Sequence, residues 1–171
     1  MLIMAFRHFM NCQNERTPEV LELFARTAQE ICEGQQYDVN FETRTDVTEA
    51  EYIEMIRLKT SVLLACAAKA GALLAGAPNE DAEMLYRFAE KVGLAFQLQD
   101  DYLDVYGDPA VFGKKIGGDI LCGKKTFLLI NALERACVRV FVDNEEAILE
   151  GTFRGSLIDH LPSLLRDAYR R

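Results

Sequence analysis

The chain has 171 residues, half of them hydrophobic and 27% charged, a composition that excludes a disordered segment. Four Pro and eleven Gly likewise exclude collagen-like and Pro/Gly-rich low-complexity classes. The formal net charge of -8 argues against nucleic acid and anionic membrane surfaces as main partners, so an anionic ligand needs a local basic patch or a bound metal.

The five cysteines show no C-x-x-C spacing, and their odd number within apolar helical patterns reads as reduced, buried thiols of a cytoplasmic protein. The apolar start lacks a basic n-region and a cleavage site, so it does not read as a signal peptide. Ser61 to Ala77 is short, rich in small residues and interrupted by Lys69, and does not read as a membrane span. No repeat and no linker is visible, and residues 1–171 read as one domain.

In chain order the pattern is helical throughout, with no alternating β-branched run long enough for a sheet. Leu2, Ile3, Phe6, Phe9 and Met10 form one apolar helical face without a preceding cap, which reads either as a chain cut from something longer or as an ordinary N-terminal helix tucked into a core. A second helix is predicted from Thr17, as cap, to Gly34, with Pro18 in its first turn. A loop through Asn40, Thr43 and Thr45 follows. Thr48 then caps a long helix that ends at Gly76. The small residues between Ala65 and Ala72 are what closely packed helices require. Asn79 is expected to cap a helix reaching about Tyr106. A Gly-rich loop from Gly107 to Gly123 leads to another helix near Thr126, and weaker helical pieces occupy the tail.

The chemistry lies at the end of the fourth helical stretch. Asp100 and Asp104 are four apart and share a helix face with Gln97 one turn before. The row reached through Leu85, Phe88, Ala89, Val92 and Phe96 carries an apolar stripe into these carboxylates. Buried carboxylates either take up protons or bind cations, and oxygen-only ligands favour Mg²⁺ over zinc. Taken alone, D-D-x-x-D also describes a solvated acidic turn. Acid at a helix C-terminus nonetheless needs compensation. From Gly113 to Lys125 the chain carries Lys114, Lys115, Lys124 and Lys125 against Asp119, in a glycine-rich setting able to cradle a phosphate. Lys59-Thr60 is a third element, on a helix that then becomes apolar.

Together these segments resemble the trans-isoprenyl diphosphate synthases. Residues 93–108, containing Asp100-Asp101-Tyr102-Leu103-Asp104, look like that family's second aspartate-rich motif. Gly113-Lys114-x-x-Gly117, Gly123-Lys124-x-Thr126, Lys59-Thr60 and the G-Q-x-x-D run Gly34 to Asp38 match its pattern in the right order. The resemblance covers residues 1 to about 136, is closest to short-chain farnesyl or geranyl diphosphate synthases, and corresponds to the C-terminal half. It implies an all-α bundle of the isoprenoid synthase type, truncated at the N-terminus, around a central cavity. It implies Mg²⁺, with Mn²⁺ as a substitute, on Asp100, Asp101 and Asp104. Lys59, Lys114 and Lys124 would bind diphosphate, with Thr60 and Gln97 in the catalytic site. Gln35, Asp38 and Phe96 would line the cavity.

The implied reaction is a 1′-4 condensation of isopentenyl diphosphate with an allylic diphosphate, by a cytoplasmic homodimer. The family's first aspartate-rich motif and its following Arg-Arg have no counterpart, since the only adjacent Asp pair is Asp100-Asp101. The chain alone is therefore expected to be inactive. Two alternatives stay open, a non-catalytic or regulatory partner of a full-length synthase and a fragment of a class I terpene cyclase. The lysine pattern after Asp104 favours a synthase over a cyclase.

Overall fold

The computed structural model describes residues 2–112, 117–122 and 124–135, all of them helix, turn or coil with no strand. The helices are α1 (Leu2–Met10), α2 (Thr17–Glu42), α3 (Glu49–Ile56), α4 (Val62–Leu74), α5 (Asn79–Tyr106), α6 (Pro109–Phe112), α7 (Gly118–Leu121) and α8 (Phe127–Arg135). A π-helical segment, Arg57–Ser61, joins α3 to α4. Lys114, the rest of residues 113–116, Gly123 and the tail pieces expected beyond residue 136 lie outside the described residues. No helix among the described residues is long and apolar enough to cross a membrane.

The chain forms two compact units, one of Met1–Tyr37 with Glu54–Gln97 and one of Asp38–Ile53 with Leu98–Arg171. In the first unit Val20, Leu23, Cys66, Ala70, Leu73 and Ala82 make the core, with Phe9, Phe24 and Tyr86 packed against it. Phe24 also stacks edge-on with Phe6, with ring centres 5.0 Å apart. The small stripe of α4 supplies part of this core, as its sequence anticipates. In the second unit Val105, Leu128 and Ala132 form a buried cluster flanked by Tyr106 and Phe127.

The capping differs from the sequence reading at three places, each for a local reason. Gly34 does not end α2, which continues about two turns to Glu42. A Cβ at Gly34 would lie 2.8 Å from the Leu58 carbonyl carbon and the Lys59 Cα, so this glycine permits close backbone approach inside a helix. The Thr17 hydroxyl donates to the Cys12 carbonyl, at 3.0 Å, while Asn14 Oδ1 accepts the Arg16 N–H at 2.8 Å. The Asn79 side chain is taken by the Arg16 guanidinium, and the first turn of α5 closes on the Pro78 carbonyl at 3.0 Å.

Other signals are met as read. Thr48 and Glu51 form a reciprocal capping box, with Thr48 N–H to Glu51 Oε2 at 2.9 Å and Glu51 N–H to Thr48 Oγ1 at 3.3 Å. Gly76, at φ 81°, ends α4 with paired bonds from Gly76 N–H to the Leu73 carbonyl and from Ala77 N–H to the Ala72 carbonyl. Of the described cysteines only Cys66 is buried. Cys12 is half-buried, and Cys32 and Cys122 are exposed.

One larger difference concerns α5. The stripe read as inward-facing is exposed, with Phe88 65% and Phe96 61% accessible, and Leu85 and Val92 also open. In its unit α5 contributes Ala82 and Tyr86 to the core and brings Gly93 against Ser61. A row of four-residue steps turns about 40° per step on an α-helix. Three steps take Val92 about 120° round to Asp104, which is only 4% exposed. The carboxylates therefore do not continue the apolar stripe but leave it.

Candidate functional site

Within the first unit the π-helical segment carries Lys59 and Thr60, both half-buried. π-segments inside helices occur often at functional positions, because the wider turn re-aims side chains. Two glycines of neighbouring helices make room for it. Gly34 of α2 lies on the Leu58–Lys59 backbone, and a Cβ at Gly93 of α5 would meet Ser61 Cα at 2.6 Å. The Thr60 hydroxyl donates to Gln97 Oε1 at 3.2 Å, so these two site residues are brought together. Gln35, on α2, is exposed.

In the second unit the aspartate motif closes on the segment that follows it. Asp101 and Asp104 are 3% and 4% exposed, and Asp100 is half-buried. Asp101 Oδ2 accepts the Tyr52 hydroxyl at 2.5 Å and the Phe127 N–H at 2.8 Å. Asp104 Oδ2 accepts the Asp119 N–H at 3.3 Å, and the Asp104 carbonyl accepts the Gly117 N–H at 2.7 Å. Lys124, the diphosphate lysine of the sequence reading, donates to Asp119 Oδ1 at 2.8 Å. Thr126 caps α8, its Oγ1 taking the Leu129 N–H at 3.3 Å.

Burial pushes the Asp101 carboxyl up to about 6, against the opposing pull of its bonds from Tyr52 and the Phe127 N–H. Burial and the Asp101 carboxylate hold the Tyr52 phenol protonated far above its ordinary range, with Asp119 and Asp38 adding to the effect. Lys124 is raised by its bond to Asp119, opposed by partial burial, with Asp38 again contributing. Asp38 thus acts on both Tyr52 and Lys124. The sequence reading missed Tyr52, which belongs to no motif; its one signal was an aromatic residue three positions after Glu49 on a capped helix.

The donor chemistry here is oxygen only, as Mg²⁺ prefers. Among the described residues, however, no group of three or more His, Cys, Asp or Glu side chains is arranged to hold a metal ion. The three aspartates of the motif do not converge on one point. Two of them are turned onto the N–H groups of later segments, where an acceptor offsets unpaired helix-end donors.

The described residues are helical, and the D-D-x-x-D end of α5 is hydrogen-bonded to a lysine-bearing segment, an arrangement within an all-α fold. The family model for polyprenyl synthetase matches residues 1–145, and the chain belongs to that family. It is 45% identical over 150 residues to a geranylgeranyl diphosphate synthase of Methanosarcina mazei, covering 86% of this chain and 46% of that protein. A crystal structure of geranylgeranyl pyrophosphate synthase superposes with a TM-score of 0.81 at 39% identity, over 98% of this chain and 54% of that one. A polyprenyl synthase from Caulobacter crescentus, complexed with calcium and isoprenyl diphosphate, gives 0.77 at 33% identity, over 88% and 46%. The chain spans about half the length of the curated relatives it matches.

Proposed function

We propose that the chain carries one wall of a prenyl-transfer site, in which an allylic diphosphate is joined to isopentenyl diphosphate in a 1′-4 condensation. The observation that carries this reading is the bonding of the motif to its lysine segment. The Asp104 main chain and side chain hold Gly117 and Asp119, and Asp119 holds Lys124. That network keeps a cation two residues before the Thr126 cap of α8 and next to the aspartates, where a diphosphate would compete with Asp119 for it.

Lys59, Lys114 and Lys124 bind the diphosphate in this reading. Thr60 and Gln97 position it. Gln35, Asp38 and Phe96 border the cavity, Phe96 with the exposed apolar surface that an isoprenoid tail would cover. Of the three aspartates, Asp100 is the cation ligand, in a shell shared with the diphosphate and with carboxylates that this chain does not supply. Mg²⁺ held there would neutralise charge on the leaving diphosphate. With a single aspartate cluster these residues form no elongated product by themselves, and the cation shell needs a second aspartate cluster from outside them.

The test is binding of inorganic diphosphate to the purified chain with and without Mg²⁺, by calorimetry. The wild type binds in a Mg²⁺-dependent manner, and Asp100→Ala lowers the affinity by about tenfold or more. Equal binding by both removes the assignment of Asp100. Product formation from both substrates by the chain alone removes the claim that it needs a second aspartate cluster.

A further inference from the structure

The aspartate motif is one sequence element, yet its members face different tasks. We propose that Tyr52 and Asp101 form a clamp on the first turn of α8, with Asp101 Oδ2 acting as a positioning group rather than as a cation ligand. The proposal rests on the prenyl-transfer reading above only in taking Asp100 as the ligand.

Geometry at one atom carries the argument. A carboxylate oxygen offers two lone pairs, and Asp101 Oδ2 uses both, for the Tyr52 hydroxyl at 2.5 Å and the Phe127 N–H at 2.8 Å. A cation on that oxygen would have to displace a phenol and a main-chain donor in a place only 3% exposed. The Phe127 N–H is the first orphan donor of α8, and Thr126 Oγ1 serves the Leu129 N–H beside it. The positive end of α8 thus lies on the buried carboxylate, which supplies the compensation that its burial demands.

A second tie points the same way. Asn131, four residues after Phe127, donates from Nδ2 to Glu49 Oε2 and to the Phe127 carbonyl, each at 3.1 Å. Glu49 and Tyr52 are three apart on α3 and share a face. One face of α3 therefore grips α8 twice, once through Asn131 and once through Asp101, with the Tyr52 and Phe127 rings 6.4 Å apart. Because Lys124 stands two residues before the Thr126 cap, fixing the start of α8 fixes where the lysine segment ends. Tyr52 positions Lys124 through Asp101 without touching a ligand.

The experiment uses the whole chain with four substitutions, Asp101→Asn, Asp101→Ala, Tyr52→Phe and Asp100→Asn. Two quantities are read, amide hydrogen exchange over residues 127–131 and Mg²⁺-dependent affinity for inorganic diphosphate. Asp101→Asn keeps an acceptor oxygen in place. It should leave diphosphate affinity within about threefold of wild type and preserve protection of α8. Asp101→Ala and Tyr52→Phe should each speed exchange over 127–131 by about tenfold. Asp100→Asn should lower diphosphate affinity by about tenfold or more and leave that exchange unchanged. An Asp101→Asn loss as large as that of Asp100→Asn, or unchanged exchange in Tyr52→Phe, overturns the proposal. If the wild type binds no diphosphate with Mg²⁺, the prenyl-transfer reading falls, and the exchange data alone decide for or against the clamp.

Discussion

Helix α5 has two ends with different means of attachment. Toward its N-terminus it packs by shape: Ala82 and Tyr86 enter an apolar core, and Gly93 lets Ser61 approach so closely that a Cβ would meet Ser61 Oγ at 2.9 Å. Toward its C-terminus it is held by directed polar bonds, from Asp101 to Tyr52 and α8, and from Asp104 to Gly117 and Asp119. Close packing tolerates any apolar residue of the right size but no larger one. Directed bonds tolerate a change of size but not the loss of an acceptor. Substitutions should therefore fail for opposite reasons at the two ends.

The sharpest break belongs to the packed end. Gly34→Ala places a methyl group against the Leu58–Lys59 main chain, which has no flexible side chain to yield, and should cost about 3 kcal/mol of unfolding free energy in a urea titration. Next comes the bonded end, where Asp101→Ala leaves a buried phenol and a helix-end N–H unpaired, for a loss of about 2 kcal/mol in the same measurement. Should Asp101→Ala prove neutral, the contrast between the two ends collapses.

Smaller effects sharpen it. Thr126→Ala removes the cap of α8 and should lower stability by about 1 kcal/mol, visible as a downward shift of the urea midpoint. The ion pair of Glu54 with Arg57, at 2.7 Å beside the π-segment, is half open to solvent and should contribute less than about 1 kcal/mol. Its bond to Arg57 holds the Glu54 carboxyl below the ordinary value of 4.5. The sign follows from that direction. This stabilisation is present above pH 4.5 and fades as pH falls through the lower folded-state value, so Arg57→Gln should flatten the acid limb of a stability–pH curve.

Helix content was legible because hydrophobic spacing, Thr48, Gly76 and Pro78 are local signals that act within a few residues. The span of α5 and the Thr126 start of α8 follow from them. Gly34 misled because a glycine that permits interhelical contact has the same identity as one that ends a helix. Asn79 and Thr17 misled because their side chains meet more attractive partners elsewhere, the Arg16 guanidinium and the Cys12 carbonyl. The sequence offers Asp100, Asp101, Asp104, Lys59, Thr60, Gln97 and Lys124 as candidates through their motifs, but not which of them accept the N–H groups of later segments, as Asp101 and Asp104 do.

By itself the sequence determined an all-α chain of the polyprenyl synthetase family, since periodicity, caps and ordered motifs are encoded in adjacent residues. Only the tertiary structure decided that Tyr52 serves the motif, that Asp101 and Asp104 hold later segments, and that the stripe from Leu85 to Phe96 is exposed. The reason is range. Tyr52 and Asp101 stand 49 residues apart, and which lone pair a hydroxyl fills is set by where two helices meet, not by either helix alone.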